Sequence, residues 1–102
     1  MTSLHLDVTW DPAKAQSNLA KHGVPFVQAA TVLLDPLALT VFDAEHSKAE
    51  ERWFTLGISS GARLLTVSRT YQLAVPDSAR VCIISAREAT RYERQHYENE
   101  PR

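Results

Sequence analysis

The sequence predicts a single α+β domain: an antiparallel sheet packed by two N-terminal helices and a C-terminal helix, in the order β-α-α-β-β-β-β-α. Three observations carry this. Several stretches alternate polar and apolar residues with the period of a strand, and the first helical segment has both of its ends marked. The later strands are joined by connections too short for a parallel crossover, which requires antiparallel pairing and stacks the helices on one face. The length of 102 residues is close to the commonest domain size, so residues 1–102 are read as one domain with one core.

His5 to Trp10 alternates and reads as the first strand. Asp11-Pro12 starts a helix, because aspartate accepts from free N–H groups and proline suits the first helical position. The helix runs to about His22 and stops at Gly23, which tolerates the left-handed conformation. Pro25 opens a second helix with Phe26, Ala29, Ala30 and Leu33 on one side, and Asp35-Pro36 ends it. The short link between the two predicts a helical hairpin.

Leu37 to Phe42 reads as a strand, followed by a polar loop from Asp43 to Glu50 in which His46 is read as simply exposed. Arg52, Phe54, Leu56 and Ile58 alternate along the next strand, placing Arg52 at the edge of a core-facing row. Ser60-Gly61 is a hairpin signal, Leu64 to Tyr71 is a strand, and Pro76-Asp77-Ser78 turns the chain. The Tyr71–Ala79 stretch reads as a long loop. Arg80 to Ser85 is apolar at its centre and is placed centrally in the sheet, with Cys82 between Val81 and Ile83. Ser85-Ala86-Arg87-Glu88 matches a capping box, which starts a final helix through about Tyr97, with Ala86, Ala89 and Tyr92 on one side.

Composition narrows the function. No apolar run approaches the roughly 20 residues that span a bilayer, and the N-terminus lacks the basic-then-apolar pattern of a signal peptide. With Cys82 as the only cysteine no internal disulfide forms, so a cytoplasmic protein without a membrane role is expected. The net charge of −1 is unevenly spread. Residues 1–51 hold Lys14, Lys21 and Lys48 against seven carboxylates, a balance of −4. Residues 52–94 hold seven arginines against Asp77, Glu88 and Glu93, a balance of +4. Arginine is the side chain shaped for bidentate phosphate contacts, so this half points to phosphate binding.

Trp10-Asp11-Pro12-Ala13-Lys14, Asn18 and Lys21-His22-Gly23-Val24 with Phe26 resemble the opening of the BrnT toxin family. Asp35-Pro36, Glu51-Arg52 before Gly57, and Arg63-Leu64-Leu65 are similar to its middle. Ile83-Ile84-Ser85-Ala86-Arg87, then Ala89-Thr90-Arg91, Glu93-Arg94 and Tyr97, are similar to its last strand and helix. The likeness spans roughly residues 8–98 in order. It implies a RelE-like fold, metal-independent endonucleolytic cleavage of RNA, and neutralisation by a BrnA-like antitoxin with a ribbon-helix-helix domain. It also implies a toxin dimer bridged within the complex, which touches DNA only through the antitoxin. Two positions depart from the pattern. Cys82 stands where the family usually has a basic residue, and Ser68-Arg69 where a valine and a histidine or tyrosine are expected. The runner-up reading is a catalytically weakened homologue that binds its antitoxin and regulates the operon.

Metal-free RNA cleavage requires a base for the 2′-hydroxyl, cations for the phosphorane and an acid for the departing 5′-oxygen. His22 is the acid–base candidate by residue type, with Lys21 beside it and Glu51 as an alternative base. Arg52 and Arg80 are assigned as catalytic cations, and Arg63, Arg69, Arg87 and Arg91 as RNA-binding residues. Arg69 and Arg80 are the residues that would substitute for the cation missing at Cys82. The alternatives for these residues are structural: a helix-end cation for His22, a Glu51 partner for Arg52. The four histidines are scattered, no His-Glu-x-x-His occurs and the three glycines are isolated, so neither a metal, a cofactor nor a phosphate loop is expected.

Overall fold

The first helix forms between the two signals that bracket it. In the computed structural model, which describes residues 5–75 and 77–101, strand β1 (His5–Trp10) leads into helix α1 (Pro12–His22). The Asp11 side chain accepts from the Ala13 N–H at 2.9 Å, and Gly23 takes the left-handed conformation at φ 67° while donating back to the Leu19 carbonyl. Helix α2 (Phe26–Thr31) tightens into a 3-10 turn at Val32–Leu34 and stops at Asp35, before Pro36.

Strands β2 (Leu39–Phe42), β3 (Arg52–Ile58) and β4 (Leu64–Thr70) follow as an antiparallel meander. The expected Tyr71–Ala79 loop is instead a hairpin of β5 (Gln72–Val75) and the start of β6 (Ser78–Glu88). Pro76 lies outside the described residues, and Asp77 turns with φ 68°. The sheet order is β1-β6-β4-β3-β2, with β5 also pairing β6. β6 is therefore central, as expected. The sheet is mixed rather than wholly antiparallel, because β1 pairs in parallel with β6, from His5 opposite Ser78 to Trp10 opposite Ile83. Short connections govern only consecutive strands, and β1 meets a partner far along the chain.

The capping box lies five residues later than the sequence reading placed it. Ser85 to Glu88 stay in β6, held by the ladder to β4 (Ser68 opposite Ser85, Leu65 opposite Glu88), and Ala89 donates to the Leu64 carbonyl. Helix α3 (Arg91–Asn99) begins at Thr90, whose hydroxyl accepts from Glu93 N–H while the Glu93 carboxylate accepts from Thr90 N–H. Both four-residue stretches fit the motif. The strand ladder takes the first.

Val24, Phe26, Ala29 and Val32 pack onto Leu65, Val67, Ile83 and Ala86 to form the core, and Trp10 meets Phe26 edge to face at 6.1 Å. Buried Asn18 sews α1 to β6: its amide donates to the Val24 and Ala86 carbonyls and its oxygen accepts from Ala86 N–H. The helices do not share one face. α1 and α2 cover the side carrying Leu65 and Val67, whereas α3 crosses the opposite side, where Glu93 accepts from Thr66 at 3.0 Å; its Tyr97 donates to Asp35, the residue that ends the turn after α2, at 2.5 Å.

Candidate active site

α3 covers one end of its face of the sheet and leaves the other open. Along β3, Trp53, Thr55 and Gly57 share the α1–α2 side with their partners Arg69, Val67 and Leu65. Arg52, Phe54, Leu56 and Ile58 therefore point to the α3 side, away from the helical core, which corrects the sequence reading of that row. At the open end a line of polar groups crosses the sheet: Arg52 lies opposite Thr70, whose hydroxyl accepts from Cys82 N–H at 3.0 Å, and Cys82 lies opposite Thr9 of β1. Arg80 projects from β6 one step below Cys82 on the same side, beside Asp7 of β1. Two strand spacings and two residues of rise separate Arg52 from Arg80, roughly 12 Å between their backbones, so two arginine side chains can reach one phosphate.

Arg52 is half-buried at 30 % exposure, and its Nη2 meets Glu50 at 3.2 Å. Its Nε is buried with no hydrogen-bond partner, which leaves a donor to satisfy. Arg80 is exposed and has no ion-pair or hydrogen-bond partner among the described residues. Glu51, just before β3, accepts from the Trp53 indole at 2.9 Å, and its carbonyl accepts from Tyr71 N–H.

The remaining sequence-selected residues lie elsewhere. Lys21 and His22 are exposed at the end of α1, beside Gly23, whose carbonyl accepts from Arg63 Nη1 at 3.1 Å. Arg63 also pairs with Glu88 at 2.8 Å, so it ties the end of α1 to the ends of β4 and β6. That end is about six strand residues, or roughly 20 Å, from Arg52. Arg87 grips Glu93 with two bonds of 2.8 and 3.0 Å. This bidentate pair, aided by Thr90 N–H and the Thr66 hydroxyl, holds the Glu93 carboxyl down at about 2 and raises Arg87. Arg91 is exposed in the first turn of α3. Arg69 lies on the α1–α2 side, donating to the Thr55 hydroxyl at 3.1 Å, and burial lowers its guanidinium from the usual arginine range. Glu51, Arg52 and Arg80 thus gather at one end of the sheet, and Lys21, His22 and Arg63 at the other.

One pair escaped the sequence reading. Asp43 directly follows β2: its N–H donates to the Arg52 carbonyl at 2.9 Å, which ties its backbone to that of Arg52. Asp43 is buried, and its carboxylate lies 2.9 Å from Nδ1 of His46, whose side chain is 59 % exposed. Ser47 fixes this turn, donating to the Asp43 carbonyl at 2.6 Å and accepting from Arg52 N–H at 3.0 Å. The available signal was the three-residue spacing of an aspartate and a histidine just after a strand. Among the described residues no group of three or more histidine, cysteine or carboxylate side chains converges as a metal site, and no helix is long and apolar enough to cross a membrane.

The family model described as "Ribonuclease toxin, BrnT, of type II toxin-antitoxin system" matches residues 10–93. The chain belongs to the BrnT family. It is a ribonuclease toxin of a type II toxin–antitoxin system, an endoribonuclease with an antitoxin as its partner. The fold is similar to the crystal structure of the Brucella abortus ribonuclease toxin BrnT, with a TM-score of 0.58 and 26 % identity over 85 % of this chain and 99 % of that one. No curated protein matches the chain. Of the positions that depart from the expected pattern, Cys82 and Arg69 fall on opposite sides of the sheet. Cys82 is half-buried in the polar line on the open side, next to the Arg80 row, whereas Arg69 is turned toward the helices.

Proposed function

We propose that this BrnT-family toxin cleaves RNA without a metal on the open side of the sheet, with Arg52 and Arg80 as the phosphate clamp. The observation that carries this reading is the half-buried Arg52, with an unsatisfied Nε, on the same side as Arg80, which has no partner among the described residues. Two guanidinium groups stabilise the dianionic phosphorane, and their planar donors match its oxygens. Glu51 is adjacent, but its carboxylate is engaged by the Trp53 indole. Lys21, His22 and Arg91, exposed at the far end, would extend the RNA track rather than meet the same phosphate. Arg63 and Arg87 join that track only if RNA competes with Glu88 and Glu93. Arg69 reaches it only from the helical side.

The partner in this reading is a BrnA-like ribbon-helix-helix antitoxin in the cytoplasm, through which a toxin dimer touches operator DNA. The test is cleavage of a single-stranded RNA by the purified chain in the presence of a chelator. Cutting should persist, and Arg52→Ala and Arg80→Ala should each slow it about 10²-fold, the scale of losing one preorganised donor. Full activity in both variants would refute the clamp. An inert wild-type chain that still binds its antitoxin would favour the regulatory module instead.

A further inference from the structure

We infer that His46 is the general base of this cleavage and that Asp43 positions it. The inference rests on the RNA-cleavage reading above. Its starting point is the geometry of the turn between β2 and β3. An ionised carboxylate only accepts hydrogen bonds, so the His46 nitrogen facing Asp43 at 2.9 Å, Nδ1, carries the proton. In the neutral ring Nε2 is then the lone-pair nitrogen, on a side chain that is 59 % exposed. The imidazole is thus presented to solvent in the tautomer that accepts a proton.

The carboxylate is held as firmly as the ring it orients. Asp43 is only 8 % exposed, its N–H is spent on the Arg52 carbonyl, and Ser47 bridges the Asp43 carbonyl to Arg52 N–H. Because the Asp43 N–H bonds the Arg52 carbonyl and Ser47 bridges the same two residues, the orienting group and the phosphate clamp are backbone neighbours. His22, by contrast, is exposed at the opposite end of the sheet. In this reading a phosphate held by Arg52 has the His46 imidazole, and not that of His22, at its own end of the sheet.

His46 Nε2 takes the proton of the 2′-hydroxyl as that oxygen bonds to phosphorus. The bond from phosphorus to the 5′-oxygen breaks, leaving a 2′,3′-cyclic phosphate, and the departing oxygen takes a proton from water. The imidazolium returns its proton to the hydroxide so formed. Asp43 stabilises the imidazolium without itself becoming protonated.

The experiment measures kcat and KM of the purified chain on a mixed-sequence RNA oligonucleotide. His46→Ala should lower kcat about 10²- to 10⁴-fold with KM nearly unchanged, the range for losing a general base. Asp43→Asn should also act on kcat, because an amide can donate to Nδ1 and so select the wrong tautomer. Since Asp43 is buried and its variant can lose stability, His46→Gly is assayed with added imidazole, which should restore cutting in proportion to its concentration. A His46→Ala chain as active as a cutting wild type would overturn the assignment of His46 and leave the RNA-cleavage reading intact. So would His46→Gly that stays inert with imidazole while its thermal unfolding matches wild type. A wild-type chain that leaves the oligonucleotide whole overturns both readings.

Discussion

Replacing Glu93 by glutamine tests whether the Arg87–Glu93 pair is what fastens α3 to the sheet. Glutamine keeps an oxygen for Thr90 N–H and the Thr66 hydroxyl, so the change removes chiefly the charge and one of the two Arg87 bonds. The carboxyl is held at about 2, against an ordinary 4.5, mainly by the Arg87 side-chain bond. At about 1.4 kcal/mol per unit this corresponds to about 3 kcal/mol at most, and screening of a side chain that is 25 % exposed reduces it to about 2 kcal/mol. The native carboxyl is depressed, so its contribution is complete above the unfolded-state value and is lost as pH falls from about 4.5 toward 2. Urea unfolding of Glu93→Gln should therefore show a deficit of about 2 kcal/mol at neutral pH, equivalent to roughly 10 °C in Tm. The deficit should close through that acidic window. A deficit of the same size at every pH would refute the electrostatic account, as would a neutral-pH difference below about 0.5 kcal/mol.

Two further perturbations probe the scaffold. Asn18→Ala removes three hydrogen bonds and leaves the Ala86 N–H and carbonyl without the side chain that bridges α1 to β6, so chemical denaturation should show a loss of about 2–4 kcal/mol. Gly57→Ala would bring a methyl to 3.0 Å from Val32 Cγ1 and 3.1 Å from Asp35 Oδ2, crowding a carboxylate that accepts from Ile58 N–H and Tyr97. Its thermal midpoint should fall by an amount equivalent to about 1–3 kcal/mol. An unchanged midpoint would mean that the Asp35 turn yields freely.

What the sequence made legible was whatever its own neighbours decide. α1 is bracketed by Asp11 and Gly23, and β3 and β4 alternate between short turns, so each is fixed within a few residues of itself. The parallel seat of β1 beside β6 depends on a partner some seventy residues away, and no local pattern encodes it. Likewise Ser85-x-x-Glu88 and Thr90-x-x-Glu93 are equivalent as motifs until β4 pairs with the first. At the site, the sequence picked out Arg52 and Arg80 by residue type. It also grouped them with His22 and Arg63, which the sheet carries to its other end, and it passed over His46, which pairs with a buried aspartate bonded to the Arg52 backbone.

The irregularity in β6 has a consequence for how this protein tolerates change. Arg69 faces Ile83 and Ser68 faces Ser85, so Ile84 has no opposite number on β4. Before that residue Ala79, Val81 and Ile83 point to the helices and Arg80 and Cys82 to the open side; after it the inward place passes to Ala86. One strand is thereby played in two phases. Its first half can vary in the polar residues that face the open side while keeping its own inward row. Its second half, where Asn18 and Glu93 anchor the helices, keeps a separate alternation and a separate set of constraints. Deleting Ile84 would remove the one residue without a partner on β4 and leave a single alternation in which Ile83 and Ala86 both stay inward, so the two ends of the sheet should keep their places.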